Sequence, residues 1–181
     1  MEGHYEGQIK DGRVHGTGVC VYSDGSKYQG DWRDGLKAGR GTHMFASGDQ
    51  YEGEWEAGWM QGLGVYTWKI GDKYIGEVTY GRIHGFGTYT WSTGSKYVGQ
   101  WKDGRMHGKG IKTDTEGRLF EGVWKEGRPQ LNKEENHGDL LAWLSESIGA
   151  VPSWSAPGNE SFQNMTDDRR YKNVPADDDG L

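Results

Sequence analysis

Between residues 5 and 130 the chain sets large rings, glycines and polar residues in a pattern that returns every 23 residues. The first position of each unit holds Tyr5, Tyr28, Tyr51, Tyr74, Tyr97 or Phe120, and glycine follows two residues later, from Gly7 to Gly122. The fifth position holds Ile9, Trp32, Trp55, Val78, Trp101 or Trp124, with polar residues such as Gln29 and Asp31, or Glu52 and Glu54, in between. Ring, gap and ring on alternate residues is the period of a strand with one apolar face. Asp11-Gly12, Asp34-Gly35 and Asp103-Gly104 read as the turn that follows. A second strand is expected from the eleventh position, through residues such as Val65-Tyr66-Thr67-Trp68. Ser23-Asp24-Gly25-Ser26 and Ser92-Thr93-Gly94-Ser95 read as the turn into the next unit.

The pattern therefore predicts an all-β repeat: an elongated, twisted antiparallel sheet of tandem β-hairpins. Its units start at residues 5, 28, 51, 74, 97 and 120, the last one truncated at 130. Such a fold is quasi-one-dimensional, each unit touching its neighbours and little else. The glycine at the third position is expected to leave a slot between the Tyr and Trp rows where a neighbouring ring lies on backbone.

Composition narrows the picture. Of 32 glycines, 27 fall within residues 5–130, without the three-residue period of collagen and with only 4 prolines in the chain. Aromatics at 13% are too many for a disordered chain, and no run approaches the ~18 apolar residues of a membrane span. The formal charge of −6 belongs to the tail: residues 1–130 carry 17 basic and 17 acidic side chains, residues 131–181 carry 4 and 10. No basic patch points to nucleic acid, and charge alone predicts no strong pull towards anionic lipid. Cys20, the single cysteine, cannot form an internal disulfide and reads as a buried structural thiol. The N-terminus lacks the apolar core of a secretory signal, so a cytoplasmic chain is expected, and the glycosylation patterns at Asn159 and Asn164 read as chance.

Tyr51-Glu-Gly-Glu-Trp55-x-x-Gly58 and Tyr97-Val-Gly-Gln-Trp101-Lys-Asp-Gly104-Arg-Met-His107-Gly108-Lys-Gly110 resemble MORN repeats (membrane occupation and recognition nexus). The resemblance covers about two-thirds of the chain. It departs at Ile9 and Val78 in place of Trp, at Ala38, Gln61 and Gln130 in place of His, and at Asp114 in place of a ring. It implies a non-enzymatic interaction adaptor or scaffold in cytoskeletal, ciliary or membrane-associated assemblies. It also implies an alternative, a module that binds phosphoinositide or other membrane lipid. Fused kinase or methyltransferase domains occur in the family, but the 51 residues after the repeats are too few for either.

Residues 131–149 read as a polar connector followed by a capping helix. Leu140, Leu141, Trp143, Leu144 and Ile148 share one face, Asp139 stands at the N-cap and Gly149 at the stop. This helix either covers an aromatic face or sheet edge of its own chain or is offered to a partner. Residues 150–181 read as an acidic disordered tail.

No residue stands out as catalytic, metal-ligating or cofactor-binding. His15, His84 and His107 share the eleventh position, but neighbouring units stand about 10 Å apart, too far to share one ion. They are expected to hydrogen-bond turn carbonyls. Glu52 and Glu54 read as a solvated face, and Gly85-Phe86-Gly87 precedes a strand rather than the helix a phosphate loop requires. Trp59, Met60, Tyr66, Trp68, Tyr80, Ile83, Tyr89, Trp91 and Met106 carry the variation between units. They either pack along the ladder or under the C-terminal helix, or form a hydrophobic groove, centred on units three and four, for a partner helix or peptide. Arg82, Arg105, Lys109 and Lys112 are the residues a lipid-binding alternative would use. The unprotected first strand could also pair edge to edge in a homodimer.

Overall fold

The computed structural model describes residues 3–130. The predicted capping helix over 139–148 and the acidic tail lie outside the described residues. The strands are β1 (Gly3–Lys10), β2 (Arg13–Tyr22), β3 (Lys27–Arg33), β4 (Leu36–Met44), β5 (Gln50–Glu56), β6 (Trp59–Thr67), β7 (Lys73–Thr79), β8 (Arg82–Thr90), β9 (Lys96–Lys102), β10 (Arg105–Thr113), β11 (Leu119–Lys125) and β12 (Arg128–Gln130). They form one open, twisted antiparallel sheet in chain order. Its all-β, tandem-hairpin character is as the spacing predicts.

The turn within each unit is tighter than expected. Asp11 and Gly12 both have positive φ, as do Asp34-Gly35, Ala57-Gly58, Tyr80-Gly81, Asp103-Gly104 and Glu126-Gly127. Two such residues make a type I′ turn, whose twist matches that of the strands. Pairing resumes at once, Lys10 opposite Arg13, so the second strand starts at the ninth position rather than the eleventh. The register then slips between the tenth and fourteenth positions, as between Met106 and Gly110. Gly108, inside that bulge, has φ 57°, a left-handed conformation that glycine adopts without steric cost.

The polar residue at the fourth position fastens this bulge. Glu77 Oε1 accepts the Phe86 N–H at 2.8 Å and Gln100 Oε1 accepts the Lys109 N–H at 2.8 Å. Gln8, Asp31 and Glu54 take the equivalent amides of Thr17, Arg40 and Leu63. Glu54 is thus tied to the backbone and is not simply part of a solvated face.

The glycine slot is as expected, and the ring that fills it belongs to the same hairpin. Gly76 pairs with Gly87 across β7 and β8. Tyr74 lies over both, its hydroxyl donating to the Glu77 carbonyl at 2.8 Å. The tryptophans supply the link between units. Trp101 Nε1 donates to the Gly87 carbonyl at 3.1 Å, and Trp55 and Trp124 repeat the contact with Gly41 and Gly110 at 3.1 and 3.2 Å. Edge-to-face ring pairs such as Tyr28–Trp55, at 5.2 Å, add to this ladder. The main core is therefore one row of rings on one side of the sheet, into which Cys20 is also buried, with a small cluster of Ile111, Phe86 and Val98 apart from it.

One cation is half-buried on the other side. Lys96 stands opposite Thr90 and Thr113, and burial pushes its pKa down to about 8. An unfolded lysine titrates near ~10.4, so above pH ~8 the unfolded chain holds more protons and stability should rise with pH. Tyr28, Tyr51 and Tyr74 act in the opposite sense, their ionisation pushed up by burial and by Asp31, Glu54 and Glu77 respectively. Their contribution is present below pH ~10 and is lost above it. Urea unfolding between neutral and strongly alkaline pH should show this maximum, and Lys96→Met should flatten its rising limb.

Candidate binding interface

Across each hairpin the tenth position faces the fifth: Trp55 opposes Met60, Val78 opposes Ile83 and Trp101 opposes Met106. The sixteenth faces the first: Tyr51 opposes Tyr66 and Tyr74 opposes Tyr89. Met60, Tyr66, Ile83, Tyr89, Trp91 and Met106 are consequently buried in the ring ladder and hold the sheet together. Trp68 is half-buried. It belongs to a continuous run Phe45–Tyr66–Trp68–Tyr89–Trp91 with successive ring centroids 5.7, 4.4, 5.1 and 4.7 Å apart. Tyr22, Phe45 and Trp68, all at the eighteenth position, form a half-buried rim on the aromatic side.

Trp59 and Tyr80 are exposed, but elsewhere. Trp59 opens β6 and Trp68 follows its last residue, so a whole strand separates them. The single groove expected from the sequence is thus two surfaces: a ring rim at one long edge of the sheet and an apolar turn edge at the other.

The rim has a polar foundation that sequence reasoning missed. Asp72 is fully buried; its Oδ2 accepts the Tyr89 hydroxyl at 2.7 Å and its Oδ1 accepts the Ser92 N–H at 2.8 Å. Asp49 does the same one unit earlier for the Lys69 N–H at 2.8 Å. The available signal was Asp at the twenty-second position, where Ser26 and Ser95 stand in other units. In the second unit a buried cation enters the row. Lys37 Nζ donates to His43 Nδ1 at 2.8 Å and lies 5.3, 5.4 and 5.0 Å from the Tyr22, Tyr28 and Trp55 rings.

The four basic residues considered for lipid do not line up. Arg82 and Arg105 lie on the turn edge, 3.9 Å from Asp103 and 2.6 Å from Glu126. Lys112 is buried on the aromatic side, over the Trp91 and Trp124 rings at 5.2 and 5.8 Å. Lys109, three residues earlier in the same strand, stands on the opposite face, because side chains alternate along it.

The eleventh-position column also differs from expectation. His15 Nδ1 accepts the N–H of Asp34, a turn amide rather than a turn carbonyl, at 3.4 Å, and Gln61 Oε1 takes the Tyr80 N–H at 3.0 Å. At His15 and Gln61 the column pins the next turn to the unit before it, a bond that Ala38 cannot make. Among the described residues, no three His, Cys, Asp or Glu side chains are placed to hold a metal ion.

The family model for the MORN repeat matches residues 5–27, 28–50, 51–73, 74–96 and 97–117. The chain belongs to the MORN-repeat family. No curated protein matches it. MORN repeats are general repeat modules, and a binding or scaffold role is consistent with them. The sixth MORN-like unit lies beyond the matched windows yet keeps their register, with Gly110 opposite Gly122.

Proposed function

We propose that this MORN-repeat chain is a non-enzymatic adaptor that docks a helix or peptide of a protein partner along its aromatic side, at the rim formed by Tyr22, Phe45 and Trp68. The observation that carries the reading is a row of half-buried rings locked from beneath by buried Tyr66, Tyr89 and Asp72. A ring already held in place loses little conformational freedom on binding, which favours such surfaces as anchors. Cytoskeletal, ciliary or peripheral-membrane assemblies are the settings this role would serve.

The test is Trp68→Ser in co-precipitation from cells, quantified by mass spectrometry. A partner held at the rim should be recovered at least about tenfold less, as for a binding hot spot. The melting temperature should stay close to that of the parent. Equal recovery of every partner with the fold intact would remove the rim from consideration.

A further inference from the structure

On the turn edge, the ninth residue of one unit stands against the seventh of the next. Towards the C-terminal end these places hold charged pairs, Arg82 with Asp103 and Arg105 with Glu126. At the middle of the edge the same places are apolar: Leu36 stands towards Ala57, and Trp59 towards Tyr80. These side chains are exposed, Leu36 at 39%, Trp59 at 38% and Tyr80 at 69%. The sheet does not need them. The turns dock through backbone, with the Gly58 N–H on the Lys37 carbonyl at 2.9 Å and the Gly81 N–H on the Met60 carbonyl at 3.0 Å. The same bond forms where the edge is charged, between the Gly104 N–H and the Ile83 carbonyl at 2.8 Å. Tyr80 moreover adopts φ 47°, a left-handed conformation that bulky residues rarely take. Within the described residues nothing covers its ring in return.

We propose that this apolar window is covered by residues 139–148 of the same chain. Gln130 stands opposite Val123, two residues from the turn end of β11, and β12 runs away from that turn, so the connector folds back to reach the turn edge. The nine residues from Gln130 to Asp139 can span up to about 30 Å at ~3.3 Å each. At a strand spacing of ~4.8 Å, β8, beside Tyr80, is about 19 Å from β12, and β6, which opens on Trp59, is about 29 Å away. A ten-residue helix is about 15 Å long, enough to lie along Tyr80 and Trp59 towards Leu36. The chemistry matches as well. Leu140, Leu141, Trp143, Leu144 and Ile148 have the spacing of one apolar helical face, with the acids Asp139 and Glu146 among them in sequence. Exposed Arg33 and Lys102 stand beside the window, while Arg82 and Arg105 already pair with Asp103 and Glu126, and exposed Glu56 stands opposite Trp59. The free end of the sheet suits the segment less. Its exposed apolar residues, Leu119 and Phe120, are adjacent in β11 and so point to opposite faces. Its open edge also needs backbone donors and acceptors, which a helix has already used.

Hydrogen–deuterium exchange on the full chain tests this. Amides of residues 139–148 should exchange at least about tenfold more slowly than those of 150–181. Trp59→Ser with Tyr80→Ser should abolish that protection at an unchanged melting temperature, whereas Phe120→Ser should leave it. In the reverse direction, Trp143→Ser should speed exchange at the 57–59 and 80–81 turn amides. The proposal is overturned if 139–148 exchange like an unstructured peptide in the parent chain. It is equally overturned if protection is lost in Phe120→Ser but kept in the window variant, or if it rises with protein concentration, which would assign the window to a second copy.

Discussion

Replacing Gly76 by Val should cost about 3–5 kcal/mol of stability, the range for losing a large aromatic from a core. A Cβ at this position would lie 2.5 Å from the Gly87 Cα, 2.5 Å from the Tyr74 hydroxyl and 2.6 Å from the Phe86 carbonyl oxygen. Two of those three are backbone of the paired strand and cannot swing away. The Tyr74 ring, fully buried, would have to leave its slot and give up its hydrogen bond to the Glu77 carbonyl. Because each unit leans on its neighbours, the damage falls in the middle of the array, where it severs the ladder on both sides. Gly122 is the internal control. It holds the same place in the sixth unit, but a Cβ there would meet nothing within 4 Å, because β12 stops at Gln130. Gly122→Val should cost clearly less, since both glycines share φ 159° and only Gly76 lies beneath a ring. Urea unfolding of the two variants decides the matter; equal costs would mean that the glycine row serves the backbone and not the rings.

The contrast between Gly76 and Gly122 shows what the sequence discloses and what it hides. The ring, gap and ring alternation fixes which side chains share a face, and its phase places every strand of the sheet. Alternation does not tell which polar group meets which amide. Glu77 and Phe86 are nine residues apart and meet only because a bulge intervenes. Asp72 and Ser92 are twenty apart and meet only because successive turns stack. Neither contact has a local signature. The division of the expected groove has a related cause. Trp59 and Met60 are adjacent in sequence, so they look like one apolar patch. A strand places neighbours on opposite faces, and starting β6 two residues earlier than expected makes Trp59 part of that strand. Met60 therefore enters the core while Trp59 faces out.

Asp72→Ala should destabilise the sheet by about 3 kcal/mol, most of it the cost of leaving the buried Tyr89 hydroxyl without its acceptor, with a smaller share from the part-buried Ser92 amide. The carboxylate is fully buried and serves the Tyr89 hydroxyl at 2.7 Å and the Ser92 amide at 2.8 Å. Asp72→Asn separates the lost hydrogen bonds from the lost charge. Its amide oxygen can still accept from Ser92, and its NH2 can donate to the Tyr89 oxygen, which both donates and accepts. The Asn variant should therefore lose only about 1 kcal/mol. A double-mutant cycle with Tyr89→Phe isolates the shared bond. In the Phe background the Ala substitution should cost about 1–2 kcal/mol less than in the parent. The same cycle bears on the binding reading, because Tyr89 is packed against the Trp68 ring at 5.1 Å. If Asp72 fixes the rim, Asp72→Asn should keep both the fold and partner recovery. Asp72→Ala, studied at a temperature where it remains folded, should weaken recovery without touching the exposed rings. Additive costs in the cycle would mean that Asp72 acts on the Ser92 turn alone, and the rim would then owe its rigidity to ring packing.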